Sequence, residues 1–596
     1  MKQPTADTIH PVHPEKATER RMCLNSSREK LRQRWNLEEM APTLIWWVTV
    51  VLLTFVVVYP SLVLIWNSFQ TADGIGLGNY LAVFQDPGIL KSVKNTLVVV
   101  IPSTILSTAL GVFLAWAVVR TDVPGKRHWK TLLAIPYLIP PFIGAVAWTF
   151  ILGPVGFFNE WLMKLFGLTD APINLYTLGG MVFVMTIYRY AVPYVVVLPA
   201  MKKIDSTIEE AARVSGANPW RTMMDVTLPL LTPSIMGATL LVFMFILADF
   251  GVSAVLGAPN QIRLMTTQIY YLINRPDLPN NLQLASAYSL LLALFGLAGL
   301  WAYNRVLRTN KYVVVAGKST AAKPSPLGKG KWPLFTFLTL IFAVTTVAPI
   351  AATVVTALTK TFGLPFGPGN ITLRNFARLL DLSNIKRAFG NSLFLSVVSG
   401  LLVTVIALAV AYVAIKGGIR RFHGVRLMQV MVTLPYAVPG TIIALAMILA
   451  FAQPLPVVGV KLYGTIWILL IAYVARFMNL GYNNISGAIS QIDRSLEEAS
   501  RVSGASHLRT FQKIMLPLLM PSLYSSFFLV VAPTLSEITL SSLLWSVGNE
   551  TIGTVVFSTQ EEGKILLTAA LAVILILIVV VLNYLVRHFS GDDVGI

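Results

Sequence analysis

The chain has 596 residues, of which 55% are hydrophobic and only 12% charged. Soluble domains carry roughly 25% charged residues, so this composition excludes an ordinary soluble globule and points to helices in lipid. A formal net charge of +19 would suggest nucleic acid in a soluble chain. Here the basic residues gather in particular loops, as membrane topology requires, and no nucleic-acid partner is expected.

The first 40 residues are polar and read as a tail without a short apolar signal peptide. The tail holds the sole cysteine, Cys23, so no intrachain disulfide can form. A membrane-crossing helix needs about 20 mostly apolar residues, and twelve such stretches follow. Six lie near 44–66, 95–119, 131–152, 178–200, 231–257 and 284–306. Six more lie near 333–357, 391–415, 425–450, 463–487, 519–545 and 565–586. The fifth and eleventh are interrupted by polar residues near their far ends.

The predicted fold is an all-α integral membrane protein of about twelve transmembrane helices. Its two six-helix repeats, 41–306 and 333–588, are parallel and pseudo-twofold, because an even number of spans keeps both halves in one orientation. A Lys-, Gly-, Ser- and Pro-rich linker at 307–332 joins them, and residues 589–596 form a short final tail. Arg120, Lys126, Arg127 and Lys130 follow span two, and Lys416, Arg420 and Arg421 follow span eight. With both termini inside, these loops, the first tail and the linker all become cytoplasmic. Lys386 and Arg387 run against that rule. In the linker, Gly317-Lys318-Ser319 lacks the upstream glycine of a phosphate-binding loop, since Tyr312 occupies that place. ATP hydrolysis is therefore expected on another polypeptide, and this chain is not expected to be an enzyme or to bind a cofactor.

Landmarks recur in the two halves. Asn95-Thr96 opens span two and Asn391-Ser392 opens span eight; Pro136-Tyr137 with Pro140 matches Pro435-Tyr436 with Pro439. The clearest repeat is a polar module, Ile204 to Ala217 and then Leu228-Pro229-Leu230-Leu231. It returns about 288 residues later as Ile492 to Ala505 and Leu516-Pro517-Leu518-Leu519. Thr207 with Glu210, and Ser495 with Glu498, have the spacing of a helix-opening capping box. Asp205 and Asp493 are rival N-caps. A glycine corner at Gly216 or Gly504 should stop each short helix, and Asn218-Pro219 starts another. The expected modules cover about 205–221 and 493–509.

Glu210-Ala211-Ala212, Gly216 and Leu228-Pro229 resemble the signature loop of permease subunits of binding-protein-dependent ABC importers of the type I fold. The second copy, Glu498-Ala499-Ser500 with Gly504, departs by one small residue. The resemblance covers nearly the whole chain from about residue 40. It implies that each module is a coupling helix seated in an ATPase subunit, with the glutamates contacting that partner and the glycines shaping the turn. It further implies two ATPase copies carrying ATP and Mg, and a periplasmic or extracellular solute-binding protein. The bacterial cytoplasmic membrane is the implied location. Asp249-Phe250-Gly251 with Val255-Leu256-Gly257 resembles ferric iron permeases in particular, with aminoethylphosphonate, thiamine and polyamine permeases as alternatives. A secondary transporter with two six-helix halves, or a membrane scaffold, is a rival from outside the family.

Asp249 and Glu537 occupy matching places in spans five and eleven. A mid-bilayer charge costs about 2.5–3.5 kcal/mol, so both should face the bundle interior or an aqueous opening. Counted from Thr232, Asp249 lies about 26 Å along a helix, toward the external end. The pair is either a transient site for a cationic or metal cargo, since carboxylates suit hard cations, or a pair of structural caps and salt bridges. Arg189 and Arg476 are the expected partners, one position out of register; an anionic cargo would favour them as contacts. Tyr194 and Tyr482 align and either line the pathway or pack. Histidines are scattered, with no Cys/His metal spacing.

Overall fold

A computed structural model describes residues 43–309, 326–364, 366–416, 424–454 and 459–590. The N-terminal tail with Cys23 and the Gly317-Lys318-Ser319 stretch lie outside these. Among the described residues the chain is almost wholly helical, apart from a two-stranded hairpin pairing Gln70–Thr71 with Gly74–Ile75. Among the described residues, eleven helices are long and apolar enough to cross a membrane, or twelve if one bent pair counts as a single span.

That bent pair, Gly424–Ala437 and Gly440–Phe451, turns by 113° at Val438-Pro439, just past the Pro435-Tyr436 landmark. The stretch expected as one span at 131–152 is likewise broken. A short helix, Lys126–Leu132, and a single turn at Ile135–Tyr137 precede Pro141–Leu152. The cause is local: a proline inside a helix removes a donor and clashes with the preceding turn. Irregular backbone at membrane depth survives only where protein satisfies it. Arg476 does so in the second half, donating to the carbonyls of Pro435 and Val438.

The halves embrace. Span one (Thr43–Ser68) packs on Gly440–Phe451 of the other half, and span seven (Gly328–Ala357) packs on Pro141–Leu152. The Tyr59 hydroxyl donates to the Ala450 carbonyl at 3.3 Å, and the Phe55 and Phe451 rings lie 5.3 Å apart. A five-residue π-helical turn precedes a proline at equivalent places: Thr54–Val58 before Pro60, and Ala343–Val347 before Pro349. The same holds at Met223–Thr227 before Pro229 and Phe511–Met515 before Pro517. The widened turn relieves the crowding a proline imposes.

Spans five and eleven do break at their far ends. Pro219–Leu247 stops at Ala248 and His507–Leu535 at Ser536. Each gives way to a hairpin of two short helices: Gly251–Gly257 and Met265–Ile273 in the first half, Thr539–Leu544 and Ile552–Glu561 in the second. The repeated landmarks fasten these hairpins. Thr96 Oγ1 accepts from the Met265 N–H at 2.8 Å, and Ser392 Oγ accepts from the Ile552 N–H at 2.8 Å. Asn95 donates to the Arg263 carbonyl and Asn391 to those of Gly548 and Glu550. Arg387 pairs with Glu550 at 3.4 Å, which gives that basic residue a local role.

Candidate functional site

Two regions stand out. At one face each half carries an elbow: Ser206–Val214 followed by Pro219–Thr222, and Arg494–Val502 followed by His507–Thr510. The capping-box expectation fails here. Asp205 accepts from the Thr207 N–H at 3.0 Å and Asp493 from the Ser495 N–H at 2.9 Å, so the aspartates are the N-caps. They sit one residue before each helix, where a short carboxylate reaches the open N–H groups best. The corners fall at Gly216 (φ +90°) and Gly504 (φ +81°), a conformation that other residues rarely adopt.

The signature residues divide by face. Glu210 is half-buried and Glu498 exposed; Ala211 and Ala499 are exposed, and Ala212 and Ser500 half-buried. The Ser500 hydroxyl lies 2.9 Å from that of Thr510, tying the two elbow helices together. At the matching place Ala212 has no hydroxyl, and Thr222 Oγ1 is buried with no hydrogen-bond partner among the described residues. The solvent face repeats an apolar ridge: Ile208, Val214 and Trp220 are 36%, 90% and 53% exposed, and Leu496, Val502 and Leu508 are 44%, 89% and 62% exposed.

The neighbouring glutamates turn inward, which sequence reading missed. Glu209 is buried and forms an ion pair with Arg120 at 3.2 Å, while the Thr227 hydroxyl donates to it at 2.7 Å. Glu497 lies 2.7 Å from Lys416. The signal was present: a second glutamate in each copy, and a basic residue ending each second span.

The second region is at the opposite face, where the hairpins meet. Phe250 of the first half lies 5.7 Å from Phe557 of the second and 5.3 Å from Tyr270, forming an aromatic cluster that joins the two halves. Gly251 is pressed so closely on Phe142 that a Cβ would come within 2.5 Å. The paired acids stand beside this cluster. Asp249 Oδ1 accepts from the Val252 N–H at 2.9 Å, and Oδ2 pairs with Arg189 at 3.2 Å. Glu537 accepts the N–H groups of Leu540 and Ser541 at 2.9 and 3.0 Å and the Ser541 hydroxyl at 3.2 Å. Both acids therefore cap the first helix of their hairpin.

Arg189 and Asp249 are brought together, whereas Arg476 serves the broken backbone near Pro435. Arg189 also lies 5.4 Å from the centre of the Phe245 ring, and Phe245 reaches Tyr436 of the other half at 6.2 Å. Tyr194 is buried and donates to the Lys130 carbonyl at 3.1 Å; Tyr482 accepts from Gln429 at 2.9 Å. Both pack toward the broken third span of their own half. Among the described residues no three His, Cys, Asp or Glu side chains cluster as metal ligands.

Residues 107–311 and 404–591 match the family described as binding-protein-dependent transport system inner membrane component. The matches cover more than half of the chain, one in each half, and the chain belongs to this family. It is thus a multi-pass ABC importer permease in fused two-half form. Its relatives include the ferric transport system permease protein FbpB of Actinobacillus pleuropneumoniae, 26% identical over 552 residues. That alignment covers 91% of this chain and 77% of the relative. The Fe(3+)-transport system permease protein FbpB 2 of Haemophilus influenzae is 22% identical over 529 residues, covering 87% and 94%. The molybdenum transport system permease protein ModB of Escherichia coli is 30% identical over 199 residues, covering 33% of this chain and 83% of the relative.

Proposed function

We propose that this permease imports ferric iron, driven by two separate ATPase subunits that dock on the two elbows and carry the ATP and Mg. A solute-binding protein delivers cargo to the opposite face, and both termini lie in the cytoplasm of a bacterium, below its inner membrane. The observation that carries the docking is the matched ridge on each elbow. Single exposed apolar residues are ordinary, but the same three positions left bare in both copies describe a surface made to be covered. An exposed helix with such a ridge fits a groove in a partner. Glu210 and Glu498 flank the ridges, placed to meet polar groups there, and Gly216 and Gly504 set the angle of presentation. Closure of the ATPase pair would push the elbows and move the halves as rigid bodies, parting the aromatic cluster at Phe250 and Phe557. The similarity to ferric permeases along most of the chain supports the cargo.

A second reading, an anionic cargo, is favoured by one observation. The oxygens of Asp249 and Glu537 are engaged in capping, which leaves little coordination for a bare ferric ion. The stretch similar to the molybdenum permease agrees with it. Uptake of radioiron by the complex reconstituted in vesicles decides. ATP-dependent uptake from ferric-loaded binding protein, undiminished by excess molybdate, is expected. Accumulation of molybdate without iron would replace the first reading by the second.

A further inference from the structure

We propose that span two of each half is a rod joining its elbow to the aromatic cluster, and that Arg120 and Lys416 are the positioning residues that clamp the rod to the elbow. This rests on the importer reading above.

Arg120 is the last residue of Pro87–Arg120 and is buried. Its guanidinium donates to the carbonyls of Met201 and Ile204, at 2.9 and 3.1 Å, and meets Glu209 at 3.2 Å. One side chain thus grips the end of span four and the elbow helix. Through Glu209 and Thr227 it also grips the start of span five. Lys416 directly follows Ser383–Ile415. It donates to the Ile492 carbonyl at 3.0 Å and lies 2.7 Å from Glu497. A basic residue kept only for topology would sit in solvent. Burying it is tolerable only when the charge is compensated. Arg120 Nη2 makes both carbonyl bonds, Nε faces Glu209 and Nη1 meets no acceptor among the described residues; every group that compensates either basic residue belongs to the elbow and its flanks. The arginine fork reaches three acceptors where the lysine reaches two.

The far end of each rod is fastened beside the cluster. Thr96 holds the Met265 N–H, and the next residue, Thr266, donates to the Asp249 carbonyl at 2.7 Å. In the second half Ser392 holds the Ile552 N–H, and the next residue, Gly553, lies so close to the Glu537 carbonyl that a Cβ would come within 2.4 Å. Each helix is about 50 Å long, and its two fastenings are about 36 Å apart, at about 1.5 Å per residue. Between its ends the first rod presses Gly111 against the backbone of Tyr190 and Tyr194, and the second presses Gly400 against Phe527 and Val531. The rod has little freedom to slide past spans four and five. A displacement of the elbow must therefore reach the hairpin that carries Phe250 or Phe557.

The test uses the full chain purified with its ATPases in nanodiscs. It compares ATP hydrolysis with and without ferric-loaded binding protein, together with uptake in vesicles. Arg120→Gln should retain bound ATPase but lose at least tenfold in the stimulation of hydrolysis and in iron moved per ATP. Arg120→Lys, which reproduces the second half, should keep most of the coupling. Lys416→Gln should fall in the same direction by a smaller factor. Thr96→Val, at the other end of the rod, should also uncouple. It serves as the measure if Arg120→Gln does not assemble. Wild-type coupling in assembled Arg120→Gln, or in Thr96→Val, overturns the proposal. So does loss of ATPase capture by both Arg120 variants, which would make the arginine a docking requirement. Failure of the unaltered chain to capture an ATPase would instead sink the importer reading itself.

Discussion

Asp249 and Glu537 stand at equivalent places about 288 residues apart, yet their surroundings differ. Asp249 spends one oxygen on the Val252 N–H and the other on Arg189. Glu537, one methylene longer, folds back over two N–H groups and a hydroxyl. In the repeat register Phe477 stands opposite Arg189, and Tyr188 opposite Arg476. What both halves keep is the cap on the first hairpin helix; how the charge is compensated differs. The acids are first of all devices that hold the hairpins.

The largest effect expected from this difference is in stability. Asp249→Ala leaves Arg189 within the membrane interior without its counter-ion, which costs about 3–5 kcal/mol for a buried pair. Glu537→Ala loses a cap and its hydrogen bonds, about 1–2 kcal/mol. Melting temperatures in detergent should rank the two in that order. Adding Arg189→Phe, which copies Phe477, to Asp249→Ala should recover most of the loss. Equal losses for the two single variants would show that the halves do not differ as described.

The span count, the two parallel halves and the doubled module were legible because each rests on a strong periodic or compositional signal. The residues that would bring function together were read less well. Thr207 and Glu210 fit a capping box by spacing alone, but Asp205 sits closer to the open N–H groups and wins. Glu209 and Glu210 are indistinguishable in sequence; only the helix rotation shows which faces Arg120. Arg476 was expected near an acid, yet the helix break at Val438-Pro439 exposes the carbonyls of Pro435 and Val438, which claim it first. The breaks around Pro136 and at Pro439 were visible as prolines, but a hydropathy window averages across them.

The elbows allow a sharper comparison. Ser500 is bonded to Thr510, whereas Ala212 leaves Thr222 without a partner among the described residues. Ala212→Ser should give the first elbow the missing bond and stabilise it by about 1 kcal/mol. Ser500→Ala should weaken the second by a similar amount. Amide exchange at Pro219–Thr222 and His507–Thr510 reads the two changes separately. No gain in the first elbow would mean that the hydroxyls cannot meet there.

The smallest effect lies within the second elbow, between its two caps. The Ser495 N–H, and then its hydroxyl, hold the Asp493 carboxyl below the usual range. A depressed folded-state value means that the cap stabilises fully above the unfolded pKa of about 3.9. Its contribution is lost as pH falls through the lower folded value. Ser506 caps the Arg509 N–H at 3.3 Å with a group that does not titrate. Lowering pH from about 5 through the unfolded value of about 3.9 and below it should progressively reduce exchange protection across Arg494–Val502. Asp493→Asn caps nearly as well but cannot titrate, so subtracting its profile isolates the contribution of Asp493. Superimposable profiles for the two proteins would show that Asp493 does not hold the elbow in its charged form. The second elbow would then depend on its remaining ties, among them the Ser500–Thr510 bond, the Arg501–His507 contact, the Ser506 cap and the Lys416 clamp.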